Sequence, residues 1–331
     1  MRGRYSVAMH RVLVTHRLPG SRIATLDRHC SVDSWAGPGL LGAAALRERL
    51  DGCAGLLCLL TDRVDAPLLA QAPALRWISS MSVGVDHIDL AAATARGIPV
   101  GHTPGVLVDT TADASFALLL AAARRVAEAD RFVRAGHWQP DCAWSPGFFA
   151  GREVSGATLG IVGLGAIGRA VASRAAGFGM RVIGWSRSGR EVPGVEAREL
   201  DALLAQSDFV SIHLALCAAT RGLIDARRIA RMRRGAVLVN TARGGIVDEH
   251  ALAAALRDER LAAAGIDVYE TEPLPGDSPL LSLPNAVLTP HIGSATAPTR
   301  ARMADMAVDN LLAALGGRRM PHCANPEVYG G

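Results

Sequence analysis

The chain of 331 residues contains no lysine, and all 35 of its basic residues are arginine. A Schiff-base lysine, a P-loop lysine and a lysine general base are therefore excluded. It also lacks a C-x-x-C pair. Cys30, Cys53, Cys58, Cys142, Cys217 and Cys323 lie at spacings that match no zinc site, so no metal is expected. Cys53 and Cys58 fall in an apolar, strand-like stretch, which predicts buried reduced thiols. No uninterrupted apolar run reaches membrane-spanning length. The opening MRGRYSVAMHRVLVTHRL has no long apolar segment of the signal-peptide kind, so the expected location is the cytoplasm. Net charge is a mild +4. The densest basic cluster, Arg227, Arg228, Arg231, Arg233 and Arg234, has the spacing of a solvated helix face, and no nucleic-acid partner is expected.

What is present is a rhythm of short apolar runs and helical segments. Half of the residues are hydrophobic and a fifth are charged, enough for two globular domains. RVLVTH (11–16) reads as a strand closed by a Pro-Gly bend, with a helix near 40–51 and further strand-like runs through GIPVGHTP. Residues 109–136 read as one long, well-buried helix ended by Gly136, followed by a loop rich in Trp, Pro and Gly. A second α/β series follows. Its strands are predicted at 158–162, 181–185, 208–213, 236–240, 262–266 and 286–289, and its helices at 166–178, 199–205, 225–232 and 249–258. The alternation is that of parallel sheets, and the tail from Thr296 reads as a long helix.

Within this series LGIVGLGAIG places Gly163, Gly165 and Gly168 in G-x-G-x-x-G spacing. The motif follows a strand directly and opens a helix, with a second strand after it. That is the context of a dinucleotide-binding turn: the glycines permit the turn, the approach of a pyrophosphate and the packing of helix on strand. At the end of the second strand an acidic residue would bind a ribose 2′-hydroxyl. Here Ser186 stands in that position, followed by Arg187, Ser188 and Arg190. Guanidinium and hydroxyl groups suit a 2′-phosphate, so NADP(H) is the expected cofactor, with NAD(H) as the alternative.

Ionisable residues follow three later strands: Arg243 in VNTARGGIVDE, Asp267 and Glu272 in AGIDVYETEPLP, and His291 in VLTPHIGSAT. Open α/β sheets bind ligands at the carboxyl ends of their strands, so these groups form a candidate site for reducing a keto acid. With GLLCLLTDRVD, ISSMSVGVDHIDL, RGIPVGHTPGVLVDTTAD, TEPLPGDSPLLSLPN and TPHIGSATAPTR, they make the chain resemble the D-isomer-specific 2-hydroxyacid dehydrogenases over nearly its whole length. Within them it is most similar to the glyoxylate/hydroxypyruvate reductases.

The resemblance implies an α/β fold of two doubly wound parallel-sheet domains. A Rossmann nucleotide domain (107–296) would be inserted in a flavodoxin-like substrate domain (1–106 and 297–331). It implies Arg243, Glu272 and His291 as the catalytic trio, and Val83 and Gly84, with Arg243 and His291, as substrate contacts. Cofactor contacts are implied at Thr111, Gly163, Gly165, Ala166, Ile167, Gly168, Ser186, Arg187, Ser188, Leu214, Thr241, Asp267 and Ser294. Ala166 departs from the arginine often found between the second and third glycines. The substrate implied is a small 2-keto or 2-hydroxy acid, and a homodimer is expected. Trp138 or Trp144 could narrow the pocket, or pack at the dimer interface. A broader 2-ketoacid reductase and a nucleotide-sensing corepressor are the rival readings.

Overall fold

The computed structural model describes residues 9–189 and 191–330. Arg190, which follows the candidate cofactor residues Ser186 to Ser188, lies outside the described residues. The chain divides into two compact units: residues up to Leu107 together with those from Ala295 onward, and residues Val108–Ser294.

The first unit is built on β1 (Arg11–Val14), β2 (Ser31–Ser34), β3 (Gly55–Cys58), β4 (Trp77–Ser80) and β5 (Val100–Gly101). All pair in parallel, in the order β2-β1-β3-β4-β5. That is the flavodoxin-like order, which needs helical crossovers on both faces. The crossovers are α1 (Ile23–Leu26), α2 (Ala43–Leu50), α3 (Ala66–Gln71) and α4 (Leu90–Ala95). Asp65 and Asp89 cap α3 and α4 by accepting from Leu68 N and Ala92 N. Leu46, Leu50, Leu68 and Leu69 from these helices close one core with Leu56 and Ile78. Cys53 and Cys58 are buried in it, and burial pushes the Cys58 thiol pKa well up, so both are packing groups.

The second unit opens with α5 (Val108–Ala123) and α6 (Val126–Arg134). The single helix expected over 109–136 is thus broken. Arg125 adopts a left-handed φ of +54°. The cause lies outside the segment. Arg152 N donates to Ala123 O at 2.8 Å, taking an acceptor that a continuous helix would use. The returning chain comes so close that a Cβ on Gly151 would lie 2.3 Å from Ala123 O. The burial expectation also splits: α5 buries eight residues and α6 none.

Seven parallel strands follow: β6 (Thr158–Val162), β7 (Arg181–Trp185), β8 (Glu196–Ala197), β9 (Phe209–Ile212), β10 (Ala236–Asn240), β11 (Leu261–Ile266) and β12 (Ala286–Leu288). Their order is β12-β11-β10-β9-β6-β7-β8. This is the Rossmann order with one strand added at an edge. The helices are α7 (Ala166–Ala176), α8 (Leu200–Gln206), α9 (Ala226–Arg231) and α10 (Glu249–Arg257). Alternate side chains of each strand feed opposite cores. Leu159, Ile161, Val237 and Val239 pack with α5 and α7, whereas Val162, Val210 and Leu238 pack with α8, α9 and α10. The basic cluster on and after α9 is paired: Arg227, Arg228 and Arg231 gather on Asp201, and Arg233 reaches Asp208. The chain then returns to the first unit through α11 (Ala297–Leu315), whose Ala307 O accepts from Ser79 Oγ on β4.

Candidate active site

The strand order reverses at β6, with β9 on one side and β7 on the other. Gly163, which follows β6, has a φ of +106°, and a Cβ there would meet His213 O at 2.4 Å. Only glycine tolerates both constraints. A Cβ on Gly168 would fall 2.0 Å from Gly163 O, so the third glycine lets α7 seat on the turn. Gly165 is different: it is the N-cap of α7, and a Cβ there would meet no protein atom within 4 Å. Two glycines are demanded by the protein's own packing, and the second leaves backbone accessible at a helix N-terminus. Ala166 and Ile167 form its first turn, whose N–H groups have no intrahelical acceptor. This cradle fits a dinucleotide pyrophosphate.

Leu214 follows β9 and packs partly on the core beside Gly163. His213 precedes it, 2.8 Å from Ser211 Oγ, and burial drives its pKa down to about 3. The imidazole is therefore neutral at physiological pH. Ser186, Arg187 and Ser188 follow β7, and Arg187 Nη1 lies 3.6 Å from Cys217 Sγ.

The ends of β10, β11 and β12 bring the ionisable residues together. Asn240, 1% exposed, closes β10; its Nδ2 donates to Arg243 O at 3.0 Å and its Oδ1 accepts from Ala242 N at 3.0 Å. These bonds shape the turn that carries Arg243. The turn packs so tightly that a Cβ on Gly244 would lie 1.8 Å from Tyr269 C. Asp267, also 1% exposed, closes β11. Its Oδ1 accepts from Thr289 Oγ1 (2.6 Å) and Ile292 N (2.7 Å), and its Oδ2 from Gly293 N (2.8 Å). Its backbone O accepts from His291 N at 2.9 Å. Asp267 thus clamps the loop that presents His291, which holds a φ of +54°.

His291 Nδ1 lies 2.7 Å from Glu272 Oε2, with both side chains about three-quarters buried. Glu272 Oε1 accepts from Tyr269 N at 3.0 Å. Burial pushes the Glu272 pKa up. The hydrogen bond and charge of His291, then Tyr269 N–H and the Arg243 charge, outweigh it and hold the carboxyl below its ordinary value. A second cluster lies beside this one: Ser115 Oγ donates to Thr111 O and lies 2.7 Å from Thr241 Oγ1. Thr111 also neighbours the position a Cβ on Gly293 would take, and Ser294 follows.

Within the second unit, then, the structure joins Arg243 electrostatically and His291 by hydrogen bond to Glu272, and gathers Thr111, Thr241 and Asp267. Sequence reasoning passed over Asn240, Tyr269 and Ser115. Only Asn240 carried a signal, as a polar residue ending an apolar strand. Val83 and Gly84 lie in the first unit, in a bend after β4. Ser82 Oγ donates to Gly84 O at 2.8 Å, and His102 Nδ1 lies 3.0 Å from Val83 O. Among the described residues no group of three or more His, Cys, Asp or Glu side chains is placed to hold a metal ion. No described helix is long and apolar enough to cross a membrane.

A cofactor cradle at the switch point and a His–Glu pair at neighbouring strand ends define a nucleotide-dependent oxidoreductase. Residues 116–293 match the family model for the D-isomer specific 2-hydroxyacid dehydrogenase NAD binding domain, and the chain belongs to that family. It is an NAD(P)-dependent oxidoreductase. It is 48% identical over 322 residues to the glyoxylate reductase of Korarchaeum cryptofilum, covering 96% of each chain. Among solved structures, a protein from Thermus thermophilus superposes with a TM-score of 0.88 at 48% identity, over 95% of this chain and 99% of that one. An NADPH-dependent glyoxylate/hydroxypyruvate reductase from Sinorhizobium meliloti, solved with NADP and malonate, superposes with a TM-score of 0.84 at 30% identity, over 96% and 97% of the two chains.

Proposed function

We propose that this protein reduces small 2-keto acids with NADPH, glyoxylate to glycolate and hydroxypyruvate to D-glycerate. The 2.7 Å contact between His291 Nδ1 and Glu272 Oε2 carries the reading, because it orients a proton donor. When bound, the reduced cofactor would supply a hydride to the carbonyl carbon. As negative charge grows on the carbonyl oxygen, protonated His291 donates its Nε2 proton there as general acid. Glu272 accepts from Nδ1, fixes the ring and balances its charge. Arg243 binds the substrate carboxylate and stabilises the developing oxyanion. Val83 and Gly84 are assigned to the carboxylate on the sequence resemblance. Thr111, Thr241, Asp267 and Ser294 are assigned to the nicotinamide end of the cofactor, and Leu214 to the adenosine end. Two relatives support the substrate class: the Korarchaeum protein bears the name glyoxylate reductase, and the Sinorhizobium one acts on glyoxylate and hydroxypyruvate.

NADPH preference is assigned to Ser186, Arg187 and Ser188, since no carboxylate follows β7 directly and a guanidinium is at hand. The Sinorhizobium relative's use of NADPH agrees with this. A homodimer is proposed from α6 and its following loop: Val126, Val133, Trp138 and Trp144 are each more than half exposed. The six free cysteines suit a reducing compartment, in keeping with a cytoplasmic protein. Initial rates with glyoxylate, hydroxypyruvate and larger keto acids, each with NADPH and NADH, test the reading. No glyoxylate-dependent NADPH oxidation would overturn it and favour a nucleotide sensor.

A further inference from the structure

Arg187 and Cys217 come from loops that flank the glycine turn. Arg187 follows β7, Cys217 follows β9, and β6 with Gly163 lies between them. The two outer strands stand about 9.6 Å apart, twice the spacing of neighbouring strands. A contact between their loops must therefore cross the end of β6, where the pyrophosphate cradle begins. Arg187 Nη1 makes that crossing and lies 3.6 Å from Cys217 Sγ.

The sulfur is held in place rather than free to turn. Cys217 N donates to Thr220 Oγ1 at 2.9 Å, and Thr220 Oγ1 donates to Ala215 O at 2.7 Å. Cys217 Sγ is 3.5 Å from the same hydroxyl. Arg187, by contrast, is an exposed arginine with many rotamers. The Thr220 hydroxyl first, then the Ala219 N–H and, more weakly, Arg187 itself hold the Cys217 thiol pKa below its ordinary value.

We propose that Cys217 is a positioning residue for cofactor discrimination: its sulfur holds the Arg187 guanidinium across the glycine turn, ready for the ribose 2′-phosphate. The proposal rests on the NADPH reading above. A pre-oriented guanidinium loses less rotamer freedom when a 2′-phosphate binds. The effect falls mainly on the phosphorylated cofactor, because NADH offers Arg187 a neutral 2′-hydroxyl in place of a charged 2′-phosphate.

Steady-state KM values for NADPH and NADH, measured on the full chain as wild type, Arg187→Ala, Cys217→Ser and Cys217→Val, test this. Cys217→Val removes the acceptor at similar size and should raise the KM for NADPH about fivefold, with kcat at saturating NADPH and the KM for NADH within about twofold of wild type. Cys217→Ser keeps an acceptor and should restore most of the preference. The unsubstituted protein gives a second measurement. N-ethylmaleimide labelling of Cys217, located by peptide mass analysis, should be slowed more by adenosine 2′,5′-bisphosphate than by 5′-AMP at equal site occupancy.

If Cys217→Val leaves the NADPH/NADH preference intact while Arg187→Ala abolishes it, Cys217 does not position Arg187, and the NADPH reading stands. If Arg187→Ala also leaves the preference intact, both fail. Equal protection by the two nucleotides likewise overturns the role of Cys217.

Discussion

His291 owes its place to its neighbours. Asp267 holds its loop and Glu272 its ring, so the three residues differ in what their loss should do. His291→Ala should lower kcat about a hundredfold to ten-thousandfold, the range for a placed proton donor. Arg243→Ala should raise KM and lower kcat together if, as proposed, one guanidinium serves both carboxylate and oxyanion. Glu272→Gln keeps a hydrogen-bond acceptor without the charge and should retain part of the activity. Steady-state rates with glyoxylate check all three; near-normal kcat in His291→Ala would place the proton donor elsewhere. At the cofactor end, Ser186→Asp should set a carboxylate against the 2′-phosphate. A like-charge clash of that kind should shift the NADPH/NADH ratio of kcat/KM at least about tenfold toward NADH. Acid stability should turn on His213. Its folded pKa is about 3 against an ordinary value near 6.5, so between those values the unfolded chain takes up a proton that the folded one refuses. Stability should fall as pH drops through that window. Glu272, with its lowered pKa, adds stability that is present above its unfolded value and is lost as pH falls through the folded one. Thermal melts near pH 7 and pH 4.5 should show a smaller acid-side loss in His213→Gln than in wild type. An equal loss would mean that other groups govern it.

At the scale of elements, the sequence was most readable in the largely buried inner strands. β6, β7 and β10 run from Thr158 to Val162, Arg181 to Trp185 and Ala236 to Asn240, the bounds that their apolar runs predict. A parallel strand covered on both faces reads as a continuous apolar stretch. β2 and β8 are edge strands whose side chains (SVDS and EA) are half-buried or exposed, and no continuous apolar stretch marks them. The break after α5 was unreadable for another reason. AAARRVA contains neither glycine nor proline, and the residues that impose the break, Gly151 and Arg152, arrive from some 27 positions downstream. Gly151→Val should accordingly lower stability by about 1–3 kcal/mol, since the neighbouring atom is backbone and cannot swing aside. Chemical denaturation checks this, and an unchanged midpoint would mean that the 151–152 crossing yields easily. Arg243, Asp267, Glu272 and His291 were legible as ionisable residues beyond apolar strands, and the family resemblance chose Arg243, Glu272 and His291 among them as the candidate trio. The bonds made by Asn240, Ser115 and Asp267 were not, because their partners are set by which strand ends become neighbours.

At the scale of the whole molecule, the surface carries the next expectation. α6 has no buried residue, yet Phe132, Phe148 and Phe149 cluster edge-to-face around it and its following loop. Val133, Trp138 and Trp144 add exposed apolar area. Light scattering at micromolar concentration should return twice the chain mass of 34.6 kDa, and a species at the single-chain mass alone would remove the proposed dimer. Replacing Trp138 and Trp144 in turn by alanine separates their two readings. A loss confined to assembly marks a packing residue, and a changed keto-acid range in an intact dimer marks a pocket residue.

The clamp made by Asp267 has a consequence for tempo. With both carboxylate oxygens taken by Thr289, Ile292 and Gly293, the histidine-bearing segment opens only when a buried anion is stripped of its partners. The amides of Ile292 and Gly293 should therefore exchange with deuterium as slowly as those of β10 and β11, although they lie in a loop. A segment that exchanges so slowly would not be a gate that beats once per turnover. Any motion that paces the reaction should then belong to other parts of the chain, and variants with a different keto-acid range should leave residues 289–293 untouched.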